Sequence, residues 1–390
     1  MKRHSDHLAG ARIVVIGAGA IGSLVAYRVA QAGARVSVVE RRYPGAGTSG
    51  SSFAWVNAFG KQPREYHSLN MRGIREHEVL AAELNGSWLH LDGGLLWDHS
   101  GDAARADQLR QKVRLMKSWG YRVDTITPDA LMRDLEPDLF LKDGADEIYV
   151  TPQEGWIEST TMCHSVIHTA MTQYQLAFIE GDVSGLSGPG GGVDTVKLAN
   201  GRVLSADVVV NAAGPNAGRI AQLAGSDLPI KKHVGAILTT QPVPTCLRHV
   251  VRTPEINIRP DGAGRLVLHA DKMDSALEAA GLSEVPASAV EFALEAARRI
   301  LPSLKWVETE AVRVGLRPMP LDGKSVIGFD ASVPGLYDAT THSGITLAAI
   351  VARLVTEELA GSEAPELATF RPDRFRASPN PVAGSVGDSE

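Results

Sequence analysis

Apolar positions along this chain recur at two different periods, and the order in which the periods alternate predicts its architecture. The run from Arg12 to Ile16 is apolar after its first residue and reads as a buried strand. Ile21, Val25 and Val29 then recur at helical spacing, so a helix is expected over Ile21 to Ala32, with Gly33 placed to end it. A second strand, Val36 to Val39, follows. Further on, Thr195 to Ser205 reads as a hairpin turned at Asn200-Gly201, where both residues tolerate positive φ, and it feeds an apolar strand, Val208 to Val210. Near the C-terminus Gly335, Leu336 and Tyr337 open another strand, Thr340 to Gly344 turns, and Ile345 to Leu359 is expected to be helical. Strands alternating with helices in this order predict an α/β fold around a parallel sheet.

Two stretches between these blocks differ in character. Residues 91–144 mix charged helical pieces with Trp and Leu. Residues 231–307 alternate as strands at Glu255 to Arg259 and Arg265 to His269. They then carry a helix from Ser288 that places Val290, Ala293, Leu294, Ala297 and Leu301 on one face, and Pro302 stops it. We expect these two stretches to form an α+β domain with an antiparallel sheet, inserted into the first. The first domain then comprises 10–90, 145–230 and 308–370, and the second 91–144 and 231–307. Stretches 1–9 and 376–390 are expected to be disordered tails, the latter for its Pro, Ser and Gly content.

A length of 390 residues makes two domains the default. The net charge of −6 gives no reason to expect nucleic acid or an anionic membrane as partner. No apolar run is long enough to span a bilayer, and Met1 to Gly10 lacks the apolar core of a signal peptide, so a cytoplasmic location is expected. Cys163 and Cys246 form no CxxC and no cysteine–histidine cluster. That argues against a metal site and for free thiols.

The chemistry begins where the first strand meets the first helix. Gly17-Ala18-Gly19-Ala20-Ile21-Gly22 occupies that junction, and Glu40 ends the second strand eighteen residues past Gly22. Gly17 permits the tight turn, Gly19 lets backbone approach a pyrophosphate, and Gly22 lets helix and sheet pack closely. The helix N-terminus offers amide donors and partial positive charge to the diphosphate, while Glu40 accepts from ribose hydroxyls. The strand–helix–strand–acid context predicts a bound adenine dinucleotide. It leaves FAD and NAD undistinguished, and Glu40 argues against a 2′-phosphate although Arg41 and Arg42 follow it. The small residues Ala212, Ala213 and Gly214 after the Val208 strand would let backbone approach the same ligand. Arg317, in Gly315-Leu316-Arg317-Pro318, carries a fork of donors that matches a carboxylate, though an inter-domain role fits it equally well. Arg259, before Pro260-Asp261-Gly262, is a second candidate in the setting of a solvated turn, and Trp55 and Asn57 could reach the same pocket.

Five blocks in order, Val15 to Tyr27, Gly47 to Ser52, Ala212 to Gly214, Gly315 to Pro318 and His342 to Leu347, resemble the glycine oxidase, sarcosine oxidase and D-amino acid oxidase family of flavoproteins over about Arg12 to Phe375. The resemblance implies FAD in a Rossmann-like domain with the inserted domain binding substrate. By position, Gly17 to Gly22, Glu40 and Arg41 would hold the ADP half. Gly47, Thr48, Ser49, Ser52, Phe53 and Ala54 would line the diphosphate and flavin, Val183 would contact adenine through its backbone, and Ala213 and Gly214 would approach the dinucleotide. His342, Ser343, Gly344, Ile345, Thr346 and Leu347 would aim helix N-terminal amides at flavin N1 and the C2 carbonyl, where reduced flavin is negative. His342 itself reads as a packing or positioning residue, because hydride transfer from a neutral amine asks no side chain to take a proton.

The implied activity is oxidation of the C–N bond of a small amino acid or N-substituted glycine by hydride transfer to flavin N5. Imine hydrolysis then follows, with O2 reduced to H2O2. Arg317 would take the substrate carboxylate. A secondary amine is favoured, because some glycine oxidases place an arginine where this chain has Ser343. Neither Gly47 to Asn57 nor Leu301 to Gly328 holds the histidine or cysteine that tethers flavin in covalent members, so FAD is expected to be non-covalent. The oxygen-activating lysine of monomeric sarcosine oxidases has no match in Arg265 to His269, and Lys272 lies a few residues on. A dehydrogenase passing electrons to a quinone or carrier, a non-catalytic flavin-binding subunit, and assembly as a homo-oligomer all stay open.

Overall fold

The strand Arg12–Ile16 lies at the centre of the first sheet, as its unbroken apolar run requires. In the computed structural model, which describes residues 8–141, 147–281 and 284–376, it is flanked by Arg35–Glu40 on one side and Val208–Asn211 on the other, all parallel. The described sheet has six strands, in the order Val326–Phe329, Leu336–Thr340, Val208–Asn211, Arg12–Ile16, Arg35–Glu40, Ala177–Glu180, with the first running antiparallel. Strand order reverses direction at Arg12–Ile16, so the crevice beyond its C-terminal end is where such a sheet binds ligand. The helix Ala20–Gln31 covers one face together with Gly344–Leu359 and Ser159–Tyr174. Its end is the expected one: Ala32 caps it and Gly33 adopts φ +97°. In the hairpin Thr195–Leu198 to Val203–Ser205 only Gly201, and not Asn200, takes positive φ. The turn is therefore not the doubly left-handed one expected there.

The second sheet has eight described strands. Their order is Thr309–Pro320, Ile230–Thr240, Arg265–His269, Asn257–Asp261, Val250–Arg252, Gly94–Leu96, Ile148–Thr151, Asp124–Ile126. Its membership corrects two boundaries. Ile148–Thr151 and Thr309–Pro320, assigned by sequence to the first domain, pair here instead, and position 145 itself lies outside the described residues. The sheet is also not wholly antiparallel, since Val250–Arg252 runs parallel to Gly94–Leu96. Of the expected tails, only 8, 9 and 376 are among the described residues.

Register decides what each face of this sheet carries. Val251, Ile258 and Leu268 form one cross-strand row, buried against Asp271–Ala280 and Ala287–Ile300 through Met273, Leu277, Ala293, Leu294 and Ala297. The next row, Arg252, Asn257 and His269, points the other way, because successive side chains in a strand alternate. That second face looks toward the first domain.

Leu268 is fully buried in the apolar row. Leu268→Ala is expected to cost roughly 2–5 kcal/mol in urea unfolding followed by fluorescence, and the folded fraction should keep its cofactor affinity.

Candidate active site

The turn from strand to helix closes on itself more tightly than any side chain allows. A Cβ on Gly22 would stand 1.9 Å from the Gly17 carbonyl oxygen, and one on Gly17, at φ +99°, would stand 2.6 Å from the Ala212 carbonyl oxygen. Gly22 thus fits the packing role read from the motif. Gly17, Gly19, Ala20 and Ile21 line a cleft at the end of the sheet, joined by Ala213 and Gly214. Glu40 lines it too, with its carboxylate accepting from the backbone amides of Ala18 (3.0 Å), Arg41 (2.8 Å) and Arg42 (3.2 Å). Ala18 is buried beneath the cleft rather than lining it, while Arg41 is on its wall. Gly47, Thr48, Ser49 and Ser52 form the opposite rim, and Ser49 Oγ accepts from the Ala20 amide at 2.9 Å.

A second helix N-terminus meets the same cleft. Gly344–Leu359 begins there, with His342, Gly344 and Ile345 on the lining. At its N-cap, Ser343 Oγ is buried and makes no hydrogen bond among the described residues. Two helix N-termini, a glycine cradle, a carboxylate on the cleft wall and an unsatisfied hydroxyl fit an anionic dinucleotide carrying a further electron-rich group at its far end. Leu347 and Val183 are not on the lining of this cleft. Leu347 is fully buried in the core, its amide bonded to the Ser343 carbonyl. Val183 lies off the cleft, with its carbonyl accepting from Arg219 and its side chain packed in the core.

Beyond His342 the cleft opens into a chamber of about 390 Å³ between the two sheets, sharing Thr48, Ser52, His342, Gly344 and Ile345 with it. Phe53, Ala54, Trp55, Asn57, Ser343 and Thr346 line this chamber. The loop that presents them is held from three sides. Arg259 Nε donates to the Phe53 carbonyl at 2.5 Å. Thr346 Oγ1 donates to the Trp55 carbonyl and accepts from the Asn57 amide, both at 3.2 Å. Glu154 accepts from the amides of Ala58 (3.1 Å) and Phe59 (2.9 Å) and from Tyr121 Oη. Burial pushes the Glu154 carboxyl up, and these bonds oppose that rise.

Arg259 is therefore not a chamber residue. It is buried, paired with Asp261 at 2.8 Å and stacked 4.7 Å over the Trp156 ring, so it positions Phe53 and does not reach a substrate there. The sequence setting of a solvated turn misled, because the residue sits inside the strand Asn257–Asp261 with its side chain turned inward. Lys272 is exposed, its ammonium 4.1 Å from the Phe292 ring, away from the chamber.

Arg317 does line the chamber. A Cβ on Gly235 would fall 2.6 Å from Arg317 Nε, so the guanidinium lies across that glycine toward the neighbouring strand. There Arg317 Nη2 donates to Asp274 at 2.8 Å and stands 3.0 Å from His269 Nε2. Burial pushes Asp274 up, but the His269 hydrogen bond and the charges of His269 and Arg317 outweigh it and hold the carboxyl below its usual range. The sequence reading missed Asn257, His269, Arg252, Lys61 and Lys112, all on the chamber wall. Only cross-strand register brings the first three together. Among the described residues no group of three His, Cys, Asp or Glu side chains is arranged to hold a metal, and no helix is long and apolar enough to cross a membrane.

Fold and cleft together define a two-domain, dinucleotide-dependent oxidoreductase. The family model described as FAD dependent oxidoreductase, abbreviated DAO, matches residues 12–358, and the chain belongs to that family. It is an enzyme, and its cofactor is FAD. An opine oxidase component of Agrobacterium tumefaciens is 25% identical over 94% of this chain and 98% of its own. The glycine oxidase crystal structure from Geobacillus kaustophilus superposes with a TM-score of 0.82 at 22% identity, covering 93% of this chain and 99% of that one. That of iminodiacetate oxidase from Chelativorans sp. BNC1 gives 0.78 at 23%, again covering 93% and 99%.

Glu40→Ala removes the carboxylate expected to accept from the ribose hydroxyls and leaves three amides without their acceptor. FAD affinity of the stripped protein, read by fluorescence titration, is expected to fall roughly 10- to 100-fold.

Proposed function

We propose that this enzyme oxidises the C–N bond of a small amino acid, with an N-substituted glycine favoured over free glycine. The observation that carries the reading is Arg317, placed on a chamber that opens directly onto the helix N-terminus expected to face the flavin. When bound, FAD supplies the hydride acceptor through N5. The chain's own residues orient and select. Arg317 takes the α-carboxylate as a fork of donors, its reach set by Gly235 and its angle by Asp274 and His269. Trp55 and Phe53 supply apolar walls, and the helix beside them starts at Ser343 rather than at an arginine.

The overall change is R–NH–CH2–COO⁻ + O2 + H2O → R–NH2 + OHC–COO⁻ + H2O2. Two electrons and two protons leave the C–N unit, as hydride from carbon and a proton from the amine, and water adds to the resulting imine. The names of the similar proteins, which include glycine oxidase, opine oxidase and iminodiacetate oxidase, support both an amine substrate bearing carboxylate and dioxygen as acceptor. Non-covalent FAD is supported by the cysteines. Neither lines cleft or chamber among the described residues, and burial pushes the Cys163 thiol up to about 12, where it is a poor nucleophile.

Anaerobic mixing with glycine, sarcosine and longer N-alkylglycines should bleach oxidised flavin, and readmitted air should restore it. Bleaching by no amine would sink the reading. Arg317→Ala is expected to raise KM at least about 100-fold, since a charged pair worth roughly 3 kcal/mol is lost, and a near-normal KM would remove Arg317 from the site. Gly235→Ala keeps the charge but displaces the guanidinium, and should raise KM by about 10-fold with less effect on kcat.

A further inference from the structure

Arg317 shares the chamber with other basic side chains. Lys61, Arg105, Lys112 and Arg252 also line it, against Asp98 and Asp271. Arg105 faces Asp98 at 3.8 Å, at the rim. Lys112 and Arg252 are different, because both are half-buried in the wall. Lys112 enters from the helix Ala103–Ser118, and no carboxylate among the described residues lies within ion-pairing distance of it. Burial pushes the Lys112 ammonium down, and the charge of Arg252 adds to that. Arg252 lies 5.5 Å over the Trp55 ring, so its guanidinium borders the same loop that presents Phe53 and Asn57. A half-buried ammonium with no carboxylate in reach is unfavourable unless an anion joins it.

The row along the sheet gives the spacing. Arg252 pairs with Asn257 and Asn257 with His269, which touches Arg317. Arg252 and His269 are thus two strand spacings apart, about 10 Å. Between them, Asn257 Oδ1 is a buried acceptor that no described group satisfies. Read along the wall, the order is cation, acceptor, cation.

We propose that Lys112 and Arg252 form a second anion subsite, so that the substrate is a secondary amine with two carboxylates. Resting on the function proposed above, one carboxylate sits on Arg317 and the other on Lys112 and Arg252, with the N–H between them donating to Asn257 Oδ1. An N-carboxymethyl amino acid with a carboxylate at its far end has this pattern of charges. The reaction and its balance are unchanged, with the far carboxylate leaving on the amine product.

The test uses the FAD-loaded enzyme and a pair matched in length, N-carboxymethyl-β-alanine and N-propylglycine. The dicarboxylate is expected to bleach flavin anaerobically with a second-order constant roughly 10- to 100-fold higher. Lys112→Gln and Arg252→Gln should each bring that ratio down to about 3-fold or less, and Lys112→Gln decides if the second variant does not fold. Equal rates in the wild type would overturn the subsite and leave amine oxidation standing, as would a preference that survives both substitutions. If no amine bleaches the flavin, the function reading falls, and calorimetry with the redox-inert pair glutarate and butyrate judges the subsite alone. Tighter glutarate that is lost in Lys112→Gln upholds it; equal binding overturns it.

Discussion

The contact between Gly22 and the Gly17 carbonyl fixes where everything else in the active site must stand. It starts the helix Ala20–Gln31 immediately against the end of the central strand, so the helix N-terminus has no freedom to point elsewhere. The sheet then sets Glu40 beside that N-terminus and Ala213 beneath it, and the helix Gly344–Leu359 packs on Ala20–Gln31 so that its own start faces the same cleft. A methyl group at position 22 would push these parts away from a common point. The dinucleotide site is therefore a consequence of one backbone approach, with side chains added to it.

Local physics made this half of the molecule legible in the sequence. The glycines, the apolar strand before them and the acid after them are neighbours along the chain, and the elements form within about a residue or two of their expected ends. The other half depends on partners far apart in sequence. Arg252, Asn257 and His269 share a row only because three strands pair in one register, and each alone looks like an ordinary surface residue. Ile148–Thr151 and Thr309–Pro320 fall by sequence within the first domain yet pair in the second sheet for the same reason: nothing local says which neighbours a strand takes. Leu347 shows a further limit. A position carried over from a family motif marks a place in the backbone, while the packing of this chain decides whether that place faces ligand or core.

Two arginines show how surroundings assign roles to identical side chains. Arg259 is buried, its Nε and Nη1 donating to Phe53, Pro260 and Asp261, and works by holding backbone. Arg317 lies across a glycine on a cavity wall, braced by a carboxylate whose own ionisation the pair secures. Sequence context ranked both as candidate ligand binders. Burial and orientation separate them, because a guanidinium enclosed away from the chamber meets no substrate there, whereas one on the chamber wall can.

The chamber wall is also divided by the origin of its parts within the fold. The cleft that would hold the cofactor is lined mainly from the six-stranded sheet, its two helices and the loop after Glu40, and Arg317, Asn257, His269 and Arg252 belong to the second sheet. Lys112 stands on a helix that is part of neither. Its outer face is solvent, so residues there can be exchanged without disturbing strand register or the glycine turn. A scaffold partitioned in this way allows redox machinery to stay constant while the preferred amine drifts, one helical position at a time.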